Sequence, residues 1–185
     1  LTVKVNGPGV TQTLVVGKKE KERYYAMNSA LEPVFTLDSN FPIEFKKQPG
    51  DLRDKNLFSF STFDVKRLDV ETPNGARTFV RQPQNKWKQA APAAKDVATD
   101  KVEALLNHLR DLRAESFPSG ENMETYGLKK PGYRFKAQFG EKNEAETVEA
   151  AKVGDHVYAR RPTDARPSEV SKTALDDVEK ALKEL

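Results

Sequence analysis

The stretch LRDKNLFSF at residues 52–60 returns as LRDLRAESF at residues 109–117, with Leu, Arg, Asp, Ser and Phe in the same places. Repetition constrains a chain tightly, because each copy must form the same small unit and bury its apolar face against something. A longer match extends the pattern. Residues 24–52 (YYAMNSALEPVFTLDSNFPIEFKKQPGDL) and 157–185 (VYARRPTDARPSEVSKTALDDVEKALKEL) align without a gap. Tyr25 then meets Tyr158, Ala26 meets Ala159, Leu37 meets Val170, and Asp38 meets Ser171. Leu52, Leu109 and Leu185 take equivalent places.

Each of the three stretches begins as a run of strands. TVKVN (residues 2–6) alternates up to the turn GPG, and TQTLVVG and RYYAM follow. In the middle, VKRLDVE and ARTFVRQ flank PNG, a hairpin signal because Asn and Gly tolerate the positive φ of tight turns. KWKQ continues that meander, and APAAK (residues 91–95) is a spacer. In the last stretch YRFKAQF places Tyr133, Phe135, Ala137 and Phe139 on one face and charged or polar residues on the other, the pattern of a half-buried strand. AETVEAA and HVYARR follow, separated by a VGD turn.

A helix follows each meander. In the middle, Asp100 with Glu103 reads as a capping box, and Val102, Leu105, Leu106, Leu109 and Leu112 form one apolar stripe. In the last, Ser171 is the cap, and Leu175, Val178, Ala181, Leu182 and Leu185 form the stripe. Counted back from Leu109 and from Leu185, both helices are apolar at minus seven, minus four and minus three. The first helix is a weak copy, holding Phe41 and Phe45 but interrupted by Pro42 and by Pro49–Gly50. The fold class is therefore α+β: three tandem antiparallel β-meander–helix units, each helix covering its own sheet. The units span residues 1–60, 61–117 and 133–185, with a loop-like linker at 118–132.

The repeated LRD motif falls where a helix ends and the chain leaves for the next unit. We read Leu52, Arg53, Asp54, Leu109, Arg110, Asp111 and Leu185 as structural joints. Arg53 with Asp54, and Arg110 with Asp111, are placed to meet helix-terminal carbonyls or brace neighbouring units.

Composition narrows the function. The net charge is +3, from 31 basic and 28 acidic residues that alternate in runs such as KKEKER. Nucleic-acid binding calls for basic charge gathered on one face, which is absent, so no nucleic-acid partner is expected. The chain has no cysteine, which removes disulfides, thiolate nucleophiles and Cys-based metal sites. No apolar run approaches the roughly 18 residues of a membrane span. The chain opens inside an apparent strand without an initiator Met and reads as a processed form or a fragment.

WKQAAP (residues 87–92), LLNHLRDLRAESF (105–117), YGLKKP (126–131) and GDHVYARR (154–161) follow in an order that resembles the bacterial domain-of-unknown-function family 4340. The resemblance covers most of the chain and is strongest from Phe63 to Leu185. It implies extracytoplasmic repeats on the periplasmic face of the inner membrane, behind an N-terminal membrane anchor absent from this chain. It implies envelope or transporter proteins as partners, since members often occur beside ABC-type transport components, including those linked to gliding motility. It implies no catalytic residue.

The residues themselves assemble no catalytic pattern, and no enzyme and no cofactor is expected. His108 and His156 lie in different units, without the i, i+4 partner of a helical metal site. Glu141, Glu144, Glu146 and Glu149, and then Asp176, Asp177 and Glu179, read as solvated faces rather than a paired-carboxylate site. Ser59, Ser61, Ser116 and Ser119 lack a nucleophile elbow, and the glycines form no phosphate loop. Tyr24, Tyr25, Tyr126 and Trp87 read first as packing residues. The expected function is a non-enzymatic interaction or scaffold module of an envelope transport or assembly system. The alternative is a domain binding a small ligand, glycan or peptide in a groove between the second and third units, with Tyr126 and Trp87 in its wall.

Overall fold

The computed structural model describes residues 1–41 and 53–185, in two compact units, Leu1–Arg53 and Asp54–Leu185. The expected first helix (Pro42, Phe45, Pro49 and Gly50) and the joint residue Leu52 lie outside the described residues.

The first unit carries an antiparallel meander of β1 (Thr2–Gly7), β2 (Val10–Glu20), β3 (Arg23–Asn28) and β4 (Phe35–Asp38), side by side in chain order. Gly9 turns the first hairpin at φ +76°, a conformation side chains resist. Val3 faces Leu14 and Val16 faces Ala26 across the strands. Val16 and Ala26 are buried, and most other strand positions are not.

The second unit is one nine-stranded antiparallel sheet with two helices. Its elements are β5 (Val65–Thr72), β6 (Gly75–Arg81), β7 (Trp87–Ala91), β8 (Lys95–Val97), α1 (Thr99–Arg110), β9 (Ala114–Ser116), β10 (Tyr133–Phe139), β11 (Glu144–Val153), β12 (His156–Arg160), β13 (Ser168–Val170) and α2 (Lys172–Lys183). The spatial order is β8-β7-β6-β5-β10-β11-β12-β13-β9. Each half runs four antiparallel strands and then a 12-residue helix. The halves join where β5 pairs β10, with Phe135 opposite Val70 and Ala137 opposite Leu68.

The stretches 61–117, 118–132 and 133–185 therefore share one unit, where the sequence suggests separate ones. An isolated meander has two unpaired edges, and the first strands of the two halves satisfy each other's. The core is likewise common to both halves. Leu68, Phe79, Trp87, Leu105, Phe135, Val148, Leu175 and Val178 belong to one continuous apolar cluster.

The helices form where the apolar stripes fall. Val102, Leu105, Leu106 and Leu109 of α1 and Leu175, Val178, Ala181 and Leu182 of α2 are buried. Ser171 caps α2, its Oγ accepting from the Ala174 N–H at 3.4 Å. The expected Asp100 cap is corrected: α1 starts at Thr99, its N-cap is Ala98, and no side chain caps it. Thr99 instead donates its hydroxyl to the Asn85 carbonyl at 3.2 Å, tying the first turn to the loop before β7.

Strand pairing keeps the offset found in the sequence. Tyr24 pairs Leu37, Tyr25 pairs Thr36 and Ala26 pairs Phe35 in the first unit. Val157 pairs Val170, Tyr158 pairs Glu169 and Ala159 pairs Ser168 in the second. The helices differ by one turn from the sequence alignment. With Thr99 set against Lys172, Leu109 falls on Leu182, and Leu185 falls on Leu112.

Candidate functional site

The two repeated stretches come together. Asn56 bridges Arg113 antiparallel, and the Ala114 N–H donates to the Lys55 carbonyl at 2.8 Å. Leu109 is fully buried, while Arg110 turns to its neighbour Asp111 at 3.3 Å. The Asp111 N–H closes α1 on the Asn107 carbonyl at 2.9 Å, and the Leu112 N–H on that of Leu109 at 3.2 Å. Asp54 accepts from the Asn56 N–H at 2.9 Å in a local turn, and Leu185 packs on the core and accepts from Lys95 through its carbonyl. Arg110 thus pairs with an adjacent carboxylate, not with a neighbouring unit.

The structure does not bring Trp87 and Tyr126 into one groove. Trp87 is a core side chain of β7, with the Arg81 guanidinium 4.8 Å above its ring and its buried Nε1 without a hydrogen-bond partner among the described residues. Burial holds the Arg81 pKa below its usual range, and the side chain donates to the carbonyls of Val65 and Thr62. Tyr126 packs edge-on against Tyr158 of β12, with ring centroids 4.8 Å apart. Four strands separate β7 from β12. At about 4.8 Å per strand that places them over 20 Å apart.

The stretch 118–132 is docked on the sheet. Leu128 is buried, and Gly127 adopts φ +70° where an added Cβ would lie 2.9 Å from that of Ala151. Only glycine admits both that conformation and that approach.

The face of the large sheet opposite the helices carries a row of paired charges. Arg134 on β10, Glu149 on β11 and Arg160 on β12 are direct cross-strand partners. Glu149 is buried and takes both guanidiniums, at 2.7 Å and 3.1 Å. On β5, Arg67 forks onto Asp69 at 2.8 and 2.9 Å, and Thr78 donates to the same carboxylate at 2.7 Å. Burial alone would raise the Asp69 pKa, but these bonds outweigh it and lower it. Near the β9 edge, Glu169 meets His156 Nδ1 at 2.6 Å and accepts from Ser116 at 2.8 Å, which lowers its pKa. The serine donates to the carboxylate and not to the imidazole, so this trio lacks the nucleophile–base contact of a catalytic triad.

On the helix side, Lys152 bridges Asp176 and Glu179, each at 2.9 Å, and Tyr133 donates to Glu179. Burial opposes the charge on Lys152, but the two carboxylates raise its pKa well above the usual lysine range. Glu146, expected to be solvated, accepts from both the backbone N–H and the hydroxyl of Ser59. His108 lies in the last turn of α1. No group of three or more His, Asp or Glu side chains able to hold a metal occurs among the described residues.

Sequence reading missed the partners of Glu149, Glu169 and Lys152. A signal for the first was present: Arg134, Glu149 and Arg160 occupy outward positions of three consecutive strands.

A family model described as a domain of unknown function (DUF4340) matches residues 1–131. The match takes in the N-terminal sheet and the WKQAAP, LRDLRAESF and YGLKKP segments, and it ends before β10 and GDHVYARR. No curated protein and no solved structure matches the chain.

Proposed function

The chain belongs to the DUF4340 family of unknown function, and from that premise we propose that it is a non-enzymatic extracytoplasmic interaction or scaffold module. It serves an envelope transport or assembly system, with envelope or transporter proteins as partners, and is held at the membrane in its full-length form. One observation carries the reading. Among the described residues, eight of the ten exposed large hydrophobic side chains belong to the N-terminal unit: Leu1, Val5, Val10, Val15, Tyr25, Met27, Leu31 and Val34. Val15 and Met27 are cross-strand partners, and Tyr25 lies two residues from Met27 on the same face of β3. Apolar patches of this kind mark interaction sites. Among the described residues β1 pairs only with β2 in its sheet, which leaves main-chain groups for strand addition.

We also read the three meander–helix stretches as copies of one unit. Support comes from the shared strand register at Tyr25 and Tyr158, and from the same order of strands and helix in the two halves of the large sheet. The ligand-groove alternative has less support, because Trp87 is in the core and Tyr126 lies against Tyr158.

The test places a photo-crosslinking amino acid at Val15, Tyr25 or Met27 of the full-length protein in cells, with Glu115 as a control. Recovery of transport or envelope-assembly subunits from the first three positions and not from Glu115 is the expected result. Equal capture at all four, or no specific protein, overturns the proposal.

A further inference from the structure

We propose that the cavity between the β5–β6 hairpin and the last turn of α2 binds the carboxylate of a ligand that also carries an apolar chain. Such a ligand is a peptide C-terminus or a free aliphatic acid. The cavity measures about 320 Å³, within the range of small-molecule sites. Val70 and Leu182 supply its apolar wall, and Arg77, Lys183 and Glu179 its charges.

Arg77 lies directly across from Val70 in the hairpin. Its Nη1 donates to the Leu182 carbonyl at 2.6 Å, which fixes the guanidinium beside the end of the helix. An arginine has five N–H donors, and that bond uses one. Lys183 has no ion-pair partner among the described residues. Glu179 is already engaged, accepting from Tyr133 and from Lys152. The cavity therefore presents unspent cationic donors above an apolar wall, while its one carboxylate is committed to the fold. A carboxylate matches the arginine fork, and an aliphatic chain matches Val70 and Leu182. A bare phosphate would leave that wall unmatched. The site is distinct from the interaction surface proposed for the N-terminal unit and stands or falls separately.

The test is an amide-resolved NMR titration of the 185-residue chain with acetyl-Ala-Leu bearing a free carboxylate, with the same dipeptide as its amide, and with hexanoate. Saturable shifts gathered at residues 70–77 and 179–183, and roughly tenfold weaker for the amide, are expected. Tighter binding of the dipeptide acid identifies a peptide C-terminus, and tighter binding of hexanoate a small acid. Arg77→Lys keeps the charge but loses the fork, and Lys183→Glu reverses an exposed charge without touching the core. Each is expected to weaken binding about tenfold while leaving the remaining spectrum in place. Equal shifts from acid and amide, shifts scattered over surface lysines, no shift in the millimolar range, or unchanged binding by both variants overturns the proposal.

Discussion

Glu149 has a side chain only 7% exposed, and its two arginines differ. Arg134 is 47% exposed and its attraction is screened, whereas Arg160 is 22% exposed and holds the charge more firmly. Glu149→Gln keeps the shape and removes the charge, so its cost is set by the lost charge-assisted bonds, about 1–3 kcal/mol by urea unfolding. Glu149→Gln in an Arg160→Gln background should cost less than in the wild type, because the partner is already gone. The pH dependence follows from the same groups. The carboxyls of Asp69, Glu169 and Glu179 sit below their ordinary values of 3.8, 4.5 and 4.5 in the fold. The stability they add is complete above those ordinary values and disappears as pH falls through the folded ones. Lys152 and Tyr133 are raised from 10.5 and 10.0, so their contribution is complete below those values and is lost as pH rises through the folded ones. The urea midpoint should therefore be level between about pH 5 and pH 9 as far as these groups are concerned, and fall on either side. Lys152→Met should shrink the alkaline fall and leave the Asp69 and Glu169 contributions to the acid fall in place.

At the level of the element, the two helices are alike in length and stripe but not in how they begin. Ser171 bonds back into α2, so Ser171→Ala should cost about 1 kcal/mol. Asp100 makes no such bond in α1, so Asp100→Ala should cost less than half of that, read from thermal unfolding of the pair. Leu109→Ala, at a fully buried site, should cost about 2–5 kcal/mol. The stripes, the hairpin turns at PNG and VGD, and the alternation of β10 were all legible in the sequence, because each follows from the local period of the chain. The β5–β10 pairing was not, because a free edge has no local signature and its partner lies some 65 residues away. The docking of 118–132 was hidden for a related reason. A stretch rich in Gly, Pro and Asn reads as a loop whether it dangles or packs, and only the close approach of Gly127 to Ala151 distinguishes the two. Trp87 shows the limit for candidate site residues, since an aromatic suited to stacking on a ligand is equally suited to a core.

Across the whole molecule, the division of contacts sets what can fold alone. Residues 54–185 hold one sheet and one continuous apolar cluster to which both halves contribute. A chain lacking residues 1–53 is therefore expected to unfold cooperatively, with a midpoint within a few degrees of the full chain's second unit. Neither half shares that independence. Residues 54–117 alone would lose the β10 edge that pairs with β5, the α2 surface that meets α1, and Phe135 and Val178 from the common core. A half of that size buries too little apolar surface to offset its chain entropy. Each half expressed separately should lack dispersed amide resonances. If the halves are copies whose shared edge is the device that joins them, an equimolar mixture of 54–117 and 118–185 should recover the dispersed spectrum of the intact unit. A well-dispersed spectrum from 54–117 by itself would show that its own helix is cover enough for its own sheet, and that the β5–β10 edge is a contact between finished units and not a condition of folding.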